Sequence, residues 1–202
     1  MTEGIFPATA MPDPDWWQAL WPQPGQVLAI LGVTTGTGTA VDLCCGDGLF
    51  TAPLATLARH VVAIDIDRHL LELARQRVLA EGRSTGTSEF IEGDAYDVAK
   101  MVRHPVDVVL IANTFHGVPD KPRLVRAVAA ILRPGGRFLV VNWHKHPREE
   151  TTVLGQPRGP RTEMRMAPEE VRAMVAPAGL RLVQIIELPP HHYGVIFEKP
   201  NG

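Results

Sequence analysis

The sequence predicts an α/β fold in which a mostly parallel sheet lies between two layers of helices. Three observations carry this. An apolar run, Thr39 to Leu43, breaks into the small-residue loop Cys44-Cys45-Gly46-Asp47-Gly48 and continues as a helix-like segment from Leu49. A second run, His60 to Asp65, ends in an acid. A third, Val106 to Ala112, is nearly all apolar, as a central parallel strand buried on both faces should be. Strand, glycine loop and helix form the front half of a nucleotide-binding βαβ unit. The glycines let the backbone approach a ligand because no Cβ intervenes, and the helix start offers free N–H groups. An acid closing the second strand is placed to accept hydrogen bonds from both ribose hydroxyls.

The totals are those of one domain: 202 residues, 45% hydrophobic and 21% charged, enough for a sizeable core. No apolar run reaches the roughly 18 residues of a membrane span, and Met1 to Pro14 has no basic region followed by an apolar one, so no signal peptide is expected. The two cysteines, Cys44 and Cys45, are adjacent. They make a poor structural clamp, which fits a reducing, cytoplasmic setting. The net charge of −2 argues against a general nucleic-acid binder. The charge is uneven, however. Residues 1–100 hold 6 Lys and Arg against 13 Asp and Glu, and residues 101–202 hold 14 against 9. Solvated helix faces explain this most simply; a basic rim favouring an anionic substrate is the functional alternative.

In chain order, Asp15 to Trp21 and Gln26 to Gly32 read as two short helices broken by Pro22 and Pro24. The three tryptophans Trp16, Trp17 and Trp21 suit a packing strap across the sheet or cleft. Val33–Gly38 is a linker, and Thr39–Leu43 the first strand. A helix over Leu49–Arg59 tolerates Pro53 only in its first turn. Val61–Ile66 is the second strand. Arg68–Glu81 carries a helical apolar stripe including Leu70, Leu71, Ala74 and Val78. Gly82–Gly86 is a loop and Thr87–Ile91 the third strand. Asp94 can cap a helix over Ala95–Val102, and its carboxylate can also accept from an exocyclic amine. After the strand Val106–Ala112, a helix spans Asp120–Leu132, a turn Arg133–Arg137, and a strand Phe138–Trp143. Residues 144–166 are rich in proline, glycine and charge. A loop of that length in a compact domain is usually functional or mobile. A helix over Pro168–Ala176 and strands Leu180–Leu188 and Tyr193–Glu198 finish the chain.

A dinucleotide fingerprint requires G-x-G-x-x-G, but only Gly46-x-Gly48 is present, and Asp42 lies inside the first strand. The pattern Asp42-x-x-x-Gly46-x-Gly48, followed by a strand ending in Asp65, resembles motif I and the acidic loop of class I S-adenosylmethionine (SAM)-dependent methyltransferases. The stretch Leu132-Arg133-Pro134-Gly135-Gly136-Arg137-Phe138-Leu139-Val140 resembles the turn and fifth strand of the same family, and is the more specific motif. The resemblance covers residues 37–143 closely and 167–198 by element order. It implies a Rossmann-like, seven-stranded sheet of order 3-2-1-4-5-7-6 with strand 7 antiparallel. It makes residues 37–202 a SAM-binding domain and residues 1–36 a helical strap or lid. It implies that Asp42, Cys44, Gly46 and Gly48 form the cofactor loop, that Asp65 takes the ribose hydroxyls with Ile66 on the adenine face, that Asp94 and Ala95 flank the adenine edge, and that Asn113 lies near the methionine end. SAM would leave as S-adenosylhomocysteine. At Cys44 the family pattern usually has glycine, so a left-handed φ there would be strained.

Methyl transfer needs in-line alignment of the acceptor and, where required, a base. His116, after the fourth strand, is the first candidate, since imidazole titrates in the right range; packing or capping is its plainer role. His144 is the second. Phe115, Arg148 and Arg158 are candidate substrate contacts, with Arg161 a further guanidinium able to bind an anion. His144 and His146 with His191 and His192 also read as a loose metal set, but their spacing assigns no metal. The expected function is methyl transfer to a small-molecule acceptor, with a lean toward an anionic one and with neither nucleic acid nor membrane as partner. The oligomeric state is not legible. The rivals are a SAM-binding subunit or sensor without turnover, and a dinucleotide binder, against which the missing third glycine argues.

Overall fold

The computed structural model describes residues 6–82 and 87–201. The expected loop at Gly82–Gly86 falls largely outside them, as do the first five residues. Seven strands form one sheet: β1 (Thr37–Leu43), β2 (Ala58–Asp65), β3 (Ser88–Glu92), β4 (Val106–Ala112), β5 (Leu132–Trp143), β8 (Arg181–Leu188) and β9 (His192–Glu198). Their order is β3-β2-β1-β4-β5-β9-β8. The first five are parallel, and β9 runs antiparallel to both neighbours. Numbered without the two-residue strands β6 (Thr152–Val153) and β7 (Gln156–Pro157), this is the expected order.

Alternation along the strands builds two cores. Val41, Leu43, Val109, Ile111, Phe138 and Val140 face one side, where helices α6 (Lys121–Ile131) and α7 (Pro168–Val175) cover them with Leu124, Val128 and Val171. Ala40, Val108, Leu110, Leu139 and Val141 face the other, under α1 (Pro14–Leu20), α2 (Pro24–Ile30) and α3 (Thr51–Leu57). Proline opens both N-terminal helices within their first turns, where its missing N–H is harmless. Trp16, Trp17, Trp21 and Phe50 stack edge to face along this second core, centroids 5.3–6.1 Å apart. Helices α4 (Arg68–Ala80) and α6 start at aspartates: Asp67 accepts from the His69 and Leu70 N–H groups, and Asp120 from that of Arg123.

Some boundaries differ from expectation, each for a local reason. The helix after the glycine loop covers only Thr51–Leu57, because β2 begins at Ala58 and pairs with the β1 tail from Thr37 onward. Residues 95–101 divide into a 3₁₀ turn, Ala95–Asp97, and the short α5 (Val98–Met101). Strand β5 starts early, at Leu132, and carries the proline-glycine turn as a bulge: Val106 pairs with Leu132, Val108 with Arg137. Asp107 locks this turn, accepting from the Thr39 N–H and from Arg133, each at 2.7 Å.

Segment 144–166 is not a bare loop. It holds the β6–β7 ribbon and two 3₁₀ turns, pinned by Arg165, whose guanidinium donates to the carbonyls of Pro160, His146 and Arg158 and to the Thr151 hydroxyl. Arg165 is 2% exposed and lies over the Trp143 ring, 5.2 Å from its centroid. The carboxyl ends of β1, β2, β3 and β4 meet at one edge of the sheet. There the strand order reverses between β1 and β4, opening the crevice in which ligands bind in such sheets.

Candidate functional site

That crevice holds a cavity of about 710 Å³. The loop after β1 forms its floor, with Cys44, Gly46 and Gly48 all at positive φ (60°, 56° and 82°). Two different constraints demand this. A Cβ on Gly48 would lie 2.6 Å from the Ala74 Cα of α4, so the glycine lets that helix pack on the loop. A Cβ on Gly46 would meet only the flexible Met11 thioether. Cys44 carries the left-handed conformation without glycine's freedom, at a cost of roughly 1 kcal/mol. Burial pushes both thiols, Cys44 and Cys45, well above their usual range, so neither is a poised nucleophile.

Carboxylates line one side of the cavity. Asp65, at the end of β2, accepts from the Gly46 N–H (2.8 Å) and the Asp67 N–H (2.9 Å), so the second strand tip and the first loop are tied together. Burial raises its pKa. Asp42, 2% exposed, accepts from the Thr51 hydroxyl at 2.5 Å. Burial, aided by the charges of Asp65 and Asp47, pushes it up to about 7. Asp94 caps the next turn through the Tyr96 N–H (2.9 Å) and lines the cavity with Ala95 and Ile66. Ile66 lies one residue beyond β2 and is 36% exposed, an apolar surface at the cavity wall.

Asn113, after β4, is the most informative residue. It lines the cavity with φ of 59°, and both polar atoms of its amide are buried without a hydrogen-bond partner among the described residues. Leaving such atoms unpaired costs roughly 1–3 kcal/mol, and an unpaired group in a cleft marks a place where a ligand completes the network.

His116 also lines the cavity and is 5% exposed. Its Nδ1 lies 3.2 Å from Asn142 Oδ1 and its Nε2 3.2 Å from the Ala8 carbonyl. Burial lowers its pKa, despite those two contacts. Asn142, 0% exposed in β5, also donates to the Tyr193 hydroxyl (3.4 Å), which donates to the Met166 carbonyl (2.7 Å).

Two sequence candidates fall elsewhere. Phe115 is fully buried and packs against Phe138, centroids 6.3 Å apart; the 3₁₀ turn Phe115–Gly117 sends it into the core, so the substrate contact expected of it is corrected to a packing role. His144 is not among the cavity's lining residues; it pairs with Glu187 at 2.8 Å, held there because Leu188 and Trp143 both pair with His192 across the sheet. Among the described residues no group of three or more His, Cys, Asp or Glu could hold a metal ion, and no helix is long and apolar enough to cross a membrane. Arg148, Arg158 and Arg161 do reach the cavity.

Sequence reasoning missed three contributors. Residues 6–13 run along the cavity, with Met11 against Gly46 and the Pro7 carbonyl where a Gly117 Cβ would be; nothing local marks this contact. Arg165 is one arginine among many in the sequence. Asn142 had a signal: it is a polar residue in the apolar run Phe138–Trp143, and a buried polar group requires a partner.

Residues 41–140 match a family model described as a methyltransferase domain. Among curated proteins, the chain is similar to a ubiquinone biosynthesis O-methyltransferase of Aeromonas salmonicida (strain A449), 29% identical over 108 residues, covering 54% of this chain and 44% of that protein. It is also similar to the ubiquinone/menaquinone biosynthesis C-methyltransferase UbiE of Pseudomonas fluorescens (strain SBW25), 32% identical over 121 residues, 58% and 46%. The chain thus spans about half the length of these relatives. Two solved structures share its fold. A SAM-dependent methyltransferase from Aquifex aeolicus superposes with a TM-score of 0.75 at 22% identity, covering 93% of this chain and 94% of the other. The N-methyltransferase NodS from Bradyrhizobium japonicum WM9, in complex with S-adenosylhomocysteine, gives 0.73 at 16%, covering 96% and 95%.

Proposed function

We propose, from the match of residues 41–140 to a methyltransferase-domain model, that the chain is a class I SAM-dependent methyltransferase that transfers a methyl group from SAM to a small-molecule acceptor in the 710 Å³ cavity. The observation that carries the proposal is Asn113, whose unpartnered amide lines a cleft already furnished with Asp65 and a two-glycine loop. The residues fit the cofactor. Asp65 would offer carboxylate oxygens to the ribose hydroxyls, Asp94 would accept from the adenine amino group, and Ile66 would present an apolar face to the ring. Asp42, Cys44 and Gly46 line the floor, while Gly48 shapes it through its packing on α4, and Asn113 meets the amino-acid end. The N-terminal strap or lid closes over this domain, a reading supported by the passage of residues 6–13 along the cavity.

SAM, when bound, would supply an electrophilic methyl group on its sulfonium, with S-adenosylhomocysteine as the leaving group. The acceptor's proton goes to His116 Nε2. The neutral imidazole can take it once the Ala8 carbonyl withdraws, and Asn142 fixes the ring through Nδ1. The occupied Nε2 is also what favours the rival reading, a SAM-binding protein without turnover. The two free thiols support a reducing compartment.

Calorimetric titration tests the cofactor. S-adenosylhomocysteine is expected to bind the wild type and to bind D65N at least about tenfold more weakly, with NAD giving no heat. Absence of S-adenosylhomocysteine binding sinks the proposal. Binding without methyl transfer to any acceptor favours the rival.

A further inference from the structure

Opposite in charge to the aspartates of the strand tips, a cationic group enters the cavity from the segment after β5. Arg148 and Arg158 both line it, and among the described residues neither has a carboxylate within ion-pair distance. Arg161, by contrast, pairs with Glu163 at 3.3 Å. The Arg158 Nε–H is buried without an acceptor. Both arginines are held by their backbones. The Arg158 N–H donates to the Thr151 carbonyl (2.9 Å) and its carbonyl accepts from Arg165 (3.1 Å). The Arg148 N–H donates to the Thr162 hydroxyl (3.0 Å), and its Nε to the Gly159 carbonyl (3.0 Å). Gly159 lies flat on Trp143: a Cβ there would come within 2.8 Å of the indole. Arg165, buried behind these two half-buried arginines, is a third guanidinium without a carboxylate among the described residues, its pKa lowered by burial and then by the charge of Arg148. A chain that gathers uncompensated guanidinium groups in a cleft leaves a place for an anion.

The walls beside these arginines are aromatic. Trp16, Trp17 and Trp143 line the cavity, and the Arg158 guanidinium lies 5.3 Å from the centre of the Trp16 ring. Three indoles and paired guanidinium groups suit a flat ring bearing a carboxylate.

We propose that the acceptor is an aromatic carboxylic acid, its carboxylate bound by Arg158 and Arg148 and its ring held among Trp16, Trp17 and Trp143. This rests on the methyltransferase reading above and names its substrate class. Arg165 positions the cluster and does not itself touch the acceptor.

The test is calorimetric titration of the protein saturated with S-adenosylhomocysteine, using 2-, 3- and 4-hydroxybenzoate against their methyl esters and against hexanoate. At least one hydroxybenzoate is expected to bind about tenfold or more tightly than its ester and than hexanoate. R158Q should abolish that difference while leaving S-adenosylhomocysteine affinity within about twofold, and R158K, which keeps the charge, should retain part of it. Equal binding of acid and ester, binding of hexanoate as tight as that of the aromatic acids, or no acid binding to the loaded protein overturns the proposal. Failure of S-adenosylhomocysteine itself to bind is a different result, which defeats the cofactor reading first and this one with it.

Discussion

The Nε2 atom of His116 lies 3.2 Å from the backbone carbonyl of Ala8, 108 residues away in sequence. Ala8 has φ of 57°, an uncommon backbone for an alanine, held where the strap crosses the cavity. The candidate base is therefore fixed by Asn142 on one nitrogen and covered by the Ala8 carbonyl on the other.

H116A is expected to lower kcat about 100-fold or more while leaving S-adenosylhomocysteine affinity within about twofold. Because burial depresses the pKa of His116, the wild-type rate should be flat around pH 7 and fall on the acid side, below the ordinary histidine range. Steady-state kinetics against pH check both, and loss of the acid limb in H116A ties it to this ring. An unchanged kcat in H116A would reduce the histidine to a packing residue.

His192 gives a stability prediction. Its ring lies between Trp21 and Trp143, centroids 4.5 and 4.1 Å away, with neither nitrogen hydrogen-bonded. Burial drives its pKa well down. A histidine with a depressed folded pKa contributes stability above its unfolded pKa, lost as pH falls through that value toward the folded one. Melting temperature should thus fall from pH 7 toward pH 5, and H192F, which removes the polar atoms, should flatten that slope.

Asp42 has the opposite sign. A carboxyl raised to about 7 favours the folded state while protonated, and this contribution is lost as pH rises from about 4 through 7. D42N removes the ionisable group and keeps an acceptor for Thr51. It should stabilise the cofactor-free protein above pH 7, by up to about 1.4 kcal/mol for each unit of the shift it abolishes, and should weaken SAM binding. Thermal melts at pH 4, 5 and 8 would show the effect growing with pH, smallest at pH 4, partial at pH 5 and full at pH 8.

Two glycine-loop variants separate packing from backbone strain. G48A forces a Cβ against the Ala74 backbone at positive φ and should cost roughly 2 kcal/mol or more. C44G relieves a left-handed residue but loosens the unfolded chain, so it should change stability by less than about 1 kcal/mol. Urea titration of both variants makes the comparison, and a destabilised C44G would show that the thiol packs better than its backbone suggests.

Local spelling alone determined much of this protein. The period of apolar residues set the strands, because a central parallel strand buries both faces and so declares itself. The loop at Asp42–Gly48 and the acid at Asp65 marked the candidate cofactor side, and the turn at Pro134–Gly136 the start of β5, because tight turns and close backbone approach restrict residue choice to glycine and a few others. Tertiary structure decided the rest of the cavity. Phe115 and His116 are neighbours in sequence, yet the 3₁₀ turn sends one into the core and sets the other on the cavity wall. His144 and Arg148 belong to the same segment, yet one pairs with Glu187 and the other reaches the cleft. Arg158, Trp16 and Trp143 come together from three distant elements. Periodicity reports which face of its own element a side chain occupies. Which distant side chains it meets there depends on how the strap and the segment after β5 fold over the strand tips.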